Sequence, residues 1–181
     1  MRVGVVGVQG DASEHVDAVA RAIQTFGHTG DAFHVRRRED LARAQALTIP
    51  GGESTTISKL LMKLGLFDEI VRRAQEESMP ILGTCAGCIL LAKEGGPQAE
   101  KTETRLLGLM DMAVDRNAFG RQRESFEIDL AVEGLDRPFR GVFIRAPAIV
   151  RTWGRCRPLA RYGDKIVLAR EGNLIAAAFH P

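Results

Sequence analysis

The sequence lacks the features that mark membrane, secreted and nucleic-acid-binding proteins. No segment approaches the roughly 20 consecutive apolar residues that cross a bilayer, and residues 3–8, which resemble a buried strand, follow Met1-Arg2 without a secretory signal. The net charge at pH 7 is only +2, which supports neither a nucleic acid nor a membrane surface as a partner. A cytoplasmic protein that binds neither is expected.

Cysteine is also scarce, with three residues in a chain of 181. Cys85 and Cys88 have the spacing of half a zinc site, but no second pair completes it. The composition, 45% hydrophobic and 27% charged, is ordinary for a globular protein with one sizeable core. The sequence therefore predicts one reduced domain over residues 1–181, with neither a metal nor a cofactor.

Strand-like and helix-like segments alternate through the first half of the chain. Strands are predicted at residues 3–8, 32–35, 46–49 and 81–82, and helices at residues 12–26, 41–46, 54–64 and 67–77. Ser54 is the expected N-cap of the third helix. The second half consists mostly of short strand-like segments between turn signals, at residues 107–116, 124–132, 141–145, 149–153, 159–162, 165–169 and 174–179. We expect a flavodoxin-like α/β fold, a single-domain open mixed sheet flanked by helices, whose ligands lie beyond the carboxyl ends of its parallel strands.

Cys85 stands where a predicted strand turns abruptly into a helix. The apolar residues 80–82 (PIL) precede the small residues 83–87 (GTCAG), and a second apolar run follows. Small residues on both sides of a nucleophile allow the tight turn of a nucleophile elbow, which exposes the side chain at its tip. Because the positive end of the helix dipole favours thiolate over thiol, Cys85 is the candidate nucleophile. Cys88, one helical turn later, fits a small core residue, and Cys156 fits an incidental position in a loop.

A cysteine nucleophile needs a base, and the chain has four histidines. His180 follows the apolar segment 174–179 and so emerges at a strand end, which makes it the best candidate. His15 fits the surface of the first helix better than catalysis, and His28 and His34 fit a solvated polar connection.

Residues 50–54 (PGGES) form the other unusual element. Two adjacent glycines after a strand let a backbone N–H point at a bound oxygen, as an oxyanion hole requires. Taken alone, the segment also fits an ordinary turn from a strand into a helix. Its occurrence together with the Cys85 elbow favours the catalytic interpretation.

Six segments occur in a recognisable order along nearly the whole chain: residues 4–10 (GVVGVQG), 50–56 (PGGESTT), 83–87 (GTCAG), 116–122 (RNAFGRQ), 143–147 (FIRAP) and 179–181 (FHP). With these segments the sequence resembles the glutaminase subunits of pyridoxal 5′-phosphate synthases, the PdxT/SNO family of class I glutamine amidotransferases. The elbow and the terminal histidine are shared by class I amidotransferases in general, whereas the PGGESTT, RNAFGRQ and FIRAP segments are more specific to this family.

The resemblance implies a mechanism and a set of site residues. Cys85 would attack the side-chain amide of L-glutamine, with His180 as general base and then as general acid, and the thioester would be hydrolysed to L-glutamate. The oxyanion hole would use N–H groups of Gly52 and Ala86. The residues implied in glutamine binding are Gly52, Glu53, Ser54, Arg116, Ile144 and Arg145. A carboxylate suits the α-ammonium group of glutamine and an arginine its α-carboxylate, although either arginine also fits a structural ion pair.

The sequence departs from the family after its last motif. The family follows His-Pro with a glutamate that orients the histidine, whereas this sequence stops at Pro181. We expect an enzyme of the Cys-His-Glu type whose glutamate lies beyond Pro181, in a natural chain longer than this one. A chain that ended here would lose most of its activity.

The resemblance also implies a partner, a pyridoxal 5′-phosphate synthase subunit of the PdxS/SNZ type in a hetero-oligomer. That subunit would receive ammonia through a protected channel and join it to ribose 5-phosphate and glyceraldehyde 3-phosphate. Pyridoxal 5′-phosphate would be the product of the complex and not a cofactor of this chain. Gln9, Gly10 and the start of the first helix are the expected contacts.

Three alternatives stay open on the sequence. The chain could be an amidotransferase that serves another acceptor, a Cys-elbow or Ser-elbow hydrolase or peptidase, or a catalytically silent binding subunit.

Overall fold

A computed structural model describes residues 1–10, 12–116, 118–119 and 125–180 of the chain. The helices are α1 (Ala12–Thr25), α2 (Arg38–Arg43), α3 (Ser54–Lys63), α4 (Phe67–Glu76), α5 (Ala86–Leu91) and α6 (Gly96–Lys101). The strands are β1 (Arg2–Val6), β2 (Asp31–Val35), β3 (Ala46–Ile49), β4 (Ile81–Thr84), β5 (Ala92–Glu94), β6 (Met110–Asp115), β7 (Phe126–Leu130), β8 (Phe139–Phe143), β9 (Ala148–Thr152), β10 (Arg157–Tyr162), β11 (Lys165–Glu171) and β12 (Leu174–Ala177).

One large mixed sheet runs through the described residues in the order β2-β1-β3-β4-β12-β11-β9-β6-β5, with β10 paired to β11. The pairs from β2 to β12 are all parallel, whereas β11 and β9 add antiparallel pairs. The expected open mixed α/β sheet is confirmed. Because β1, β3, β4 and β12 point the same way, the segments that follow them meet at one edge of the sheet.

Helix α5 packs closely against strand β3 beneath this edge. A Cβ atom on Gly87 would lie 2.1 Å from the carbonyl oxygen of Ile49, so only glycine permits this approach. Around it the core is fully buried, as Leu90, Leu91 and Ile49 illustrate. The short helix that follows the elbow is therefore held rigidly on the sheet.

Strands β7 and β8 form a separate antiparallel ribbon. The ring of Phe126 stacks on that of Phe143, with centroids 4.7 Å apart. Phe143 in turn contacts the buried Phe179, with centroids 5.5 Å apart. Aromatic packing thus attaches the ribbon to the segment that follows β12.

The structure corrects the bounds of one predicted helix and adds two elements that were not predicted. Helix α2 occupies Arg38–Arg43 and not residues 41–46, because the Asp40 carboxylate accepts hydrogen bonds from the N–H groups of Arg36 and Arg37 and starts the helix earlier. Strand β5 and helix α6 were not predicted, since residues 95–97 (GGP) resemble a turn. Proline is tolerated in the first turn of α6, where an N–H has no helical partner in any case.

Two of the sequence motifs lie partly outside the described residues. Residue 117 and residues 120–122 of the RNAFGRQ segment are not described, nor is Pro181, the last residue of the FHP segment. Among the described residues, no helix combines the length and the apolar character needed to cross a membrane.

Candidate active site

A cavity of about 560 Å³ opens at the carboxyl edge of the parallel strands. Its walls come from the segments after β1, β3, β4, β6, β8 and β12 and from helices α5 and α6. The lining residues are Gln9, Gly52, Glu53, Ser54, Cys85, Ala86, Ile89, Gln98, Arg116, Ile144, Arg145, Pro147 and His180. Every residue that the sequence analysis placed in the site therefore borders this one cavity.

Cys85 lies at the turn between β4 and α5, as the elbow predicts. Its backbone has φ +50° and ψ −101°, a conformation that residues other than glycine rarely adopt. The turn is held by a 2.8 Å hydrogen bond from the Cys85 N–H to the carbonyl of Ala177 on the neighbouring strand. Ala86 is the first residue of α5, so its N–H has no partner within the helix. A strained backbone held by its surroundings is common where a reactive side chain is presented.

His180 is fixed by the β7–β8 ribbon. It forms an isolated antiparallel bridge with Val142, in which the His180 N–H donates to Val142 at 2.8 Å and the Val142 N–H donates to His180 at 3.0 Å. The imidazole is half-buried. The two candidate catalytic residues thus reach the same cavity on parallel neighbouring strands, β4 and β12.

The loop after β3 is bound to the loop after β1. The side-chain oxygen of Gln9 accepts a 2.9 Å hydrogen bond from the N–H of Glu53. Gly52 has φ +145°, and a Cβ atom there would lie 2.4 Å from the same Gln9 oxygen. The positive φ favours glycine at this position, and a larger residue would also displace the Gln9 side chain that joins the two loops.

The N-cap of α3 is Glu53, and the prediction of Ser54 is wrong by one residue. The Glu53 carboxylate accepts from the N–H groups of Thr55 at 3.0 Å and Thr56 at 2.7 Å and from the Thr56 hydroxyl at 2.7 Å. With its two oxygens the carboxylate satisfies two exposed N–H donors in the first turn of the helix. Ser54 is buried instead, and its hydroxyl has no hydrogen-bond partner among the described residues.

Arg116 and Glu53 form an ion pair at the wall of the cavity, with Nη2 2.9 Å from Oε1. Burial alone would raise the pKa of Glu53, but hydrogen bonds from Thr56, Thr55 and Arg116 outweigh it and lower the pKa to about 2. The carboxylate is therefore charged at any physiological pH. Its side chain remains 48% exposed, whereas that of Arg116 is only 16% exposed.

Ile144 and Arg145 follow β8 and are both exposed at the cavity. Arg145 has φ +45°, which is strained for a residue with a long side chain. Backbone strain of this kind persists where the surrounding structure holds it and is frequent at ligand-binding positions.

The other histidines lie away from the cavity lining. His15 faces the sheet from α1, and its Nε2 is 2.9 Å from the hydroxyl of Thr84, the residue before the elbow cysteine. His28 is exposed, as expected. The prediction of a solvated His34 is wrong, because His34 lies half-buried in β2 against Gly7.

The other cysteines are buried. Burial raises the pKa of Cys88 far above its usual range and raises that of Cys156 to about 12. Both thiols belong to the hydrophobic core, which confirms the expected core position of Cys88. Among the described residues, no group of three histidine, cysteine or acidic side chains could hold a metal ion.

Four lining residues were not predicted as site residues: Gln9, Ile89, Gln98 and Pro147. Gln9 was expected only as a partner contact, although its place after a parallel strand is a signal that could have identified it. Gln98 lies on α6, the helix that the sequence did not predict. Ile89 follows Cys85 by one helical turn and was assigned only to the helix.

Comparisons with known proteins agree with this geometry. The sequence profile described as "SNO glutamine amidotransferase family" matches residues 5–181. Curated relatives named "Pyridoxal 5'-phosphate synthase subunit PdxT" include one from Archaeoglobus fulgidus, 52% identical over 181 residues, and one from Methanosarcina barkeri, 50% identical over 181 residues. In each case the match covers 100% of this chain and 90% of the relative.

Solved structures extend the similarity to three dimensions. A crystal structure described as a glutamine amidotransferase superposes with a TM-score of 0.86 at 48% identity, over 99% of this chain and 89% of the other. A glutamine amidotransferase from Thermotoga maritima, only 12% identical, has a TM-score of 0.66 over 99% of this chain and 75% of the other and so shares the fold alone.

Proposed function

Because the chain belongs to the SNO glutamine amidotransferase family, we propose that it hydrolyses L-glutamine to L-glutamate and ammonia for pyridoxal 5′-phosphate synthesis. The observation that carries this proposal is that Cys85 and His180, distant in sequence, border one cavity. The curated relatives that match the whole chain, each named as a synthase subunit, support the biosynthetic role.

The proposed reaction proceeds through a thioester at Cys85. His180 takes the proton of the Cys85 thiol, the Sγ thiolate attacks the side-chain amide carbon of glutamine, and the carbonyl oxygen becomes an oxyanion. His180 donates a proton to the amide nitrogen as the C–N bond breaks, and ammonia leaves. A water molecule then gives a proton to His180 and attacks the thioester carbon, which releases glutamate and restores the thiolate.

Backbone N–H groups of Gly52 and Ala86 are proposed to stabilise the oxyanion. Ala86 supports this role because a first helical residue keeps its N–H free of helical bonds. One such donor contributes about 3 kcal/mol to lowering the barrier in enzymes of this kind.

The charged residues at the cavity wall are proposed to recognise the amino-acid end of glutamine. Arg116 and Arg145 would bind the α-carboxylate, because a guanidinium matches a carboxylate with paired N–H donors. Glu53, ionised and half-exposed, would bind the α-ammonium group. The buried hydroxyl of Ser54, without a partner among the described residues, and the exposed Ile144 complete the proposed contacts.

We further propose that the ammonia passes to a synthase subunit of the PdxS/SNZ type. Gln9 supports a contact at this edge, because it borders the cavity and binds the loop after β3. Docking near Gln9, Gly10 and the start of α1 would cover the cavity and keep ammonia from water. A cytoplasmic location remains a prediction from the sequence.

The test is to measure glutamate release from glutamine with and without the synthase subunit. We expect release that the synthase stimulates and that Cys85→Ala reduces by about 10⁴-fold or more. Cys156→Ala is the matched control, because that thiol is buried in the core, and it should retain activity.

Other outcomes would favour the alternatives. Absence of glutamate release in both conditions, measured with a full-length chain that carries the expected glutamate, would favour a silent binding subunit and overturn the proposal. Cleavage of esters or peptides without ammonia release would identify a hydrolase.

A further inference from the structure

The guanidinium group of Arg116 is held in place by threonine hydroxyls. Its Nη1 lies 3.3 Å from Oγ1 of Thr55 and 3.3 Å from Oγ1 of Thr102, while Nη2 pairs with Glu53 at 2.9 Å. Three of the five N–H donors of the guanidinium are thus directed at described partners. These contacts hold the Arg116 side chain in one orientation at the wall of the cavity.

The two threonines are joined through a third. The Thr104 hydroxyl lies 2.6 Å from that of Thr55 and 2.7 Å from that of Thr102. Thr104 is 8% exposed and does not line the cavity. These three residues, Thr55, Thr104 and Thr102, form the threonine chain.

The backbone carbonyl of Gln98 fixes the direction of the hydrogen bonds in the threonine chain. The Thr102 hydroxyl donates to the backbone oxygen of Gln98 at 2.9 Å, which uses its only proton. Thr104 must therefore donate to Thr102, and Thr55 must donate to Thr104. Each hydroxyl donates once, and the oxygens of Thr55 and Thr102 accept from Arg116.

The continuous hydrogen bonds make the threonine chain a rigid link between two segments of the fold. It connects α3, which carries Thr55, to the segment after α6, which carries Thr102 and Thr104. It ends on the backbone of Gln98, a residue of the cavity lining. Fully satisfied polar networks fix one arrangement of the groups they join.

We infer that Thr104 is a positioning residue that sets the affinity for the α-carboxylate of glutamine by holding Arg116 in its binding orientation. This inference rests on the proposed glutaminase function. If the arginine side chain must be ordered when the substrate binds, the entropic cost of ordering it weakens binding. A side chain that is already ordered carries no such cost. The nucleophile and the candidate base are held by other contacts, so the chemical step is not affected.

The test is Thr104→Val in the full chain. Valine keeps the shape but removes the hydroxyl, so Thr55 loses its acceptor and Thr102 loses its donor. We expect KM for glutamine to rise about three- to tenfold with kcat unchanged, measured as glutamate release with the synthase subunit. The dissociation constant of glutamine, measured by calorimetry in Cys85→Ala, should rise by the same factor when Thr104→Val is added.

Two controls separate positioning from loosening of the structure. Thr104→Ser restores the hydroxyl and should restore KM. Ser58→Ala removes the 2.7 Å hydrogen bond from α3 to the backbone of Arg105, which lies beside the threonine chain but does not reach Arg116, and KM should not change. If Thr104→Val does not fold, Thr55→Val breaks the same chain and carries the same expectation.

The inference is overturned if KM is unchanged in Thr104→Val, if kcat falls at constant KM, or if Ser58→Ala raises KM equally. These results require a wild-type chain that releases glutamate. If the wild-type chain neither releases glutamate nor binds glutamine, it is the proposed function that fails, and the inference fails with it.

Discussion

His180 and Val142 exchange both of their backbone hydrogen bonds, at 2.8 and 3.0 Å. This bridge attaches the end of the main sheet to the β7–β8 ribbon. Since β8 continues directly into Ile144 and Arg145, one contact positions both the candidate base and a wall of the cavity. The candidate nucleophile is positioned independently, by β4 and α5.

Breaking the bridge should impair catalysis. In Val142→Pro, the N–H that donates to His180 is missing, so the imidazole loses its support. We expect kcat for glutamate release to fall about tenfold or more, because small displacements of a catalytic group are costly. Val142→Ala keeps the backbone bonds and should stay near wild-type activity, with circular dichroism as the check on folding. Full activity in Val142→Pro would contradict the role of the bridge.

Glu53 should make the stability of the protein depend on pH in the acidic range. Its folded pKa of about 2 lies below the ordinary value of 4.5, so the unfolded chain takes up the proton first. The stabilisation is therefore present above pH 4.5 and is lost as the pH falls toward 2.

The measurement compares urea unfolding of the wild type and Glu53→Gln. At pH 7 we expect Glu53→Gln to be less stable by about 0.5–1 kcal/mol, a value discounted because the side chain is half-exposed. The difference should shrink between pH 5 and pH 2. Glu133→Gln, at an exposed turn, should show no such trend, and a difference that is constant with pH would refute the prediction.

Cys85 should be the one thiol that reacts readily with iodoacetamide. It is half-buried at the cavity, whereas Cys88 and Cys156 are buried and their pKa values are raised by burial. Because the thiolate is the reactive species, intact mass should show one added group, and peptide mapping should locate it at Cys85. Cys85→Ala should stay unlabelled over the same period. Comparable labelling at either buried cysteine would be the contrary result.

Gly87→Ala should destabilise the fold. The added Cβ would lie 2.1 Å from the carbonyl oxygen of Ile49, so α5 must move away from β3, at a cost of about 1–3 kcal/mol. Urea denaturation gives the loss in free energy of unfolding. At Gly163 a Cβ meets open space but φ is +60°, so Gly163→Ala measures backbone strain alone. A Gly87→Ala variant as stable as the wild type would show that the helix can shift freely.

Local sequence patterns predicted those parts of the fold that near neighbours decide. The apolar run before Cys85 and the small residues around it indicated the elbow, and the apolar segment before His180 indicated a strand end. Strand β3 was predicted at its observed bounds, Ala46–Ile49. Helix α6 was missed because glycine and proline are usually turn residues, and only its packing against β6 reveals a helix there.

What the sequence by itself determined is the set of chemical groups and the elements that carry them, because helix and strand periodicity act over a few residues. Only the tertiary structure decided which groups meet. Strand pairing brings Ala177 beside Thr84 and so carries His180 to the cavity of Cys85, and the fold joins Arg116 to Thr55 and Thr102. Such contacts depend on sheet register and on packing between distant segments, which no local pattern of residues encodes.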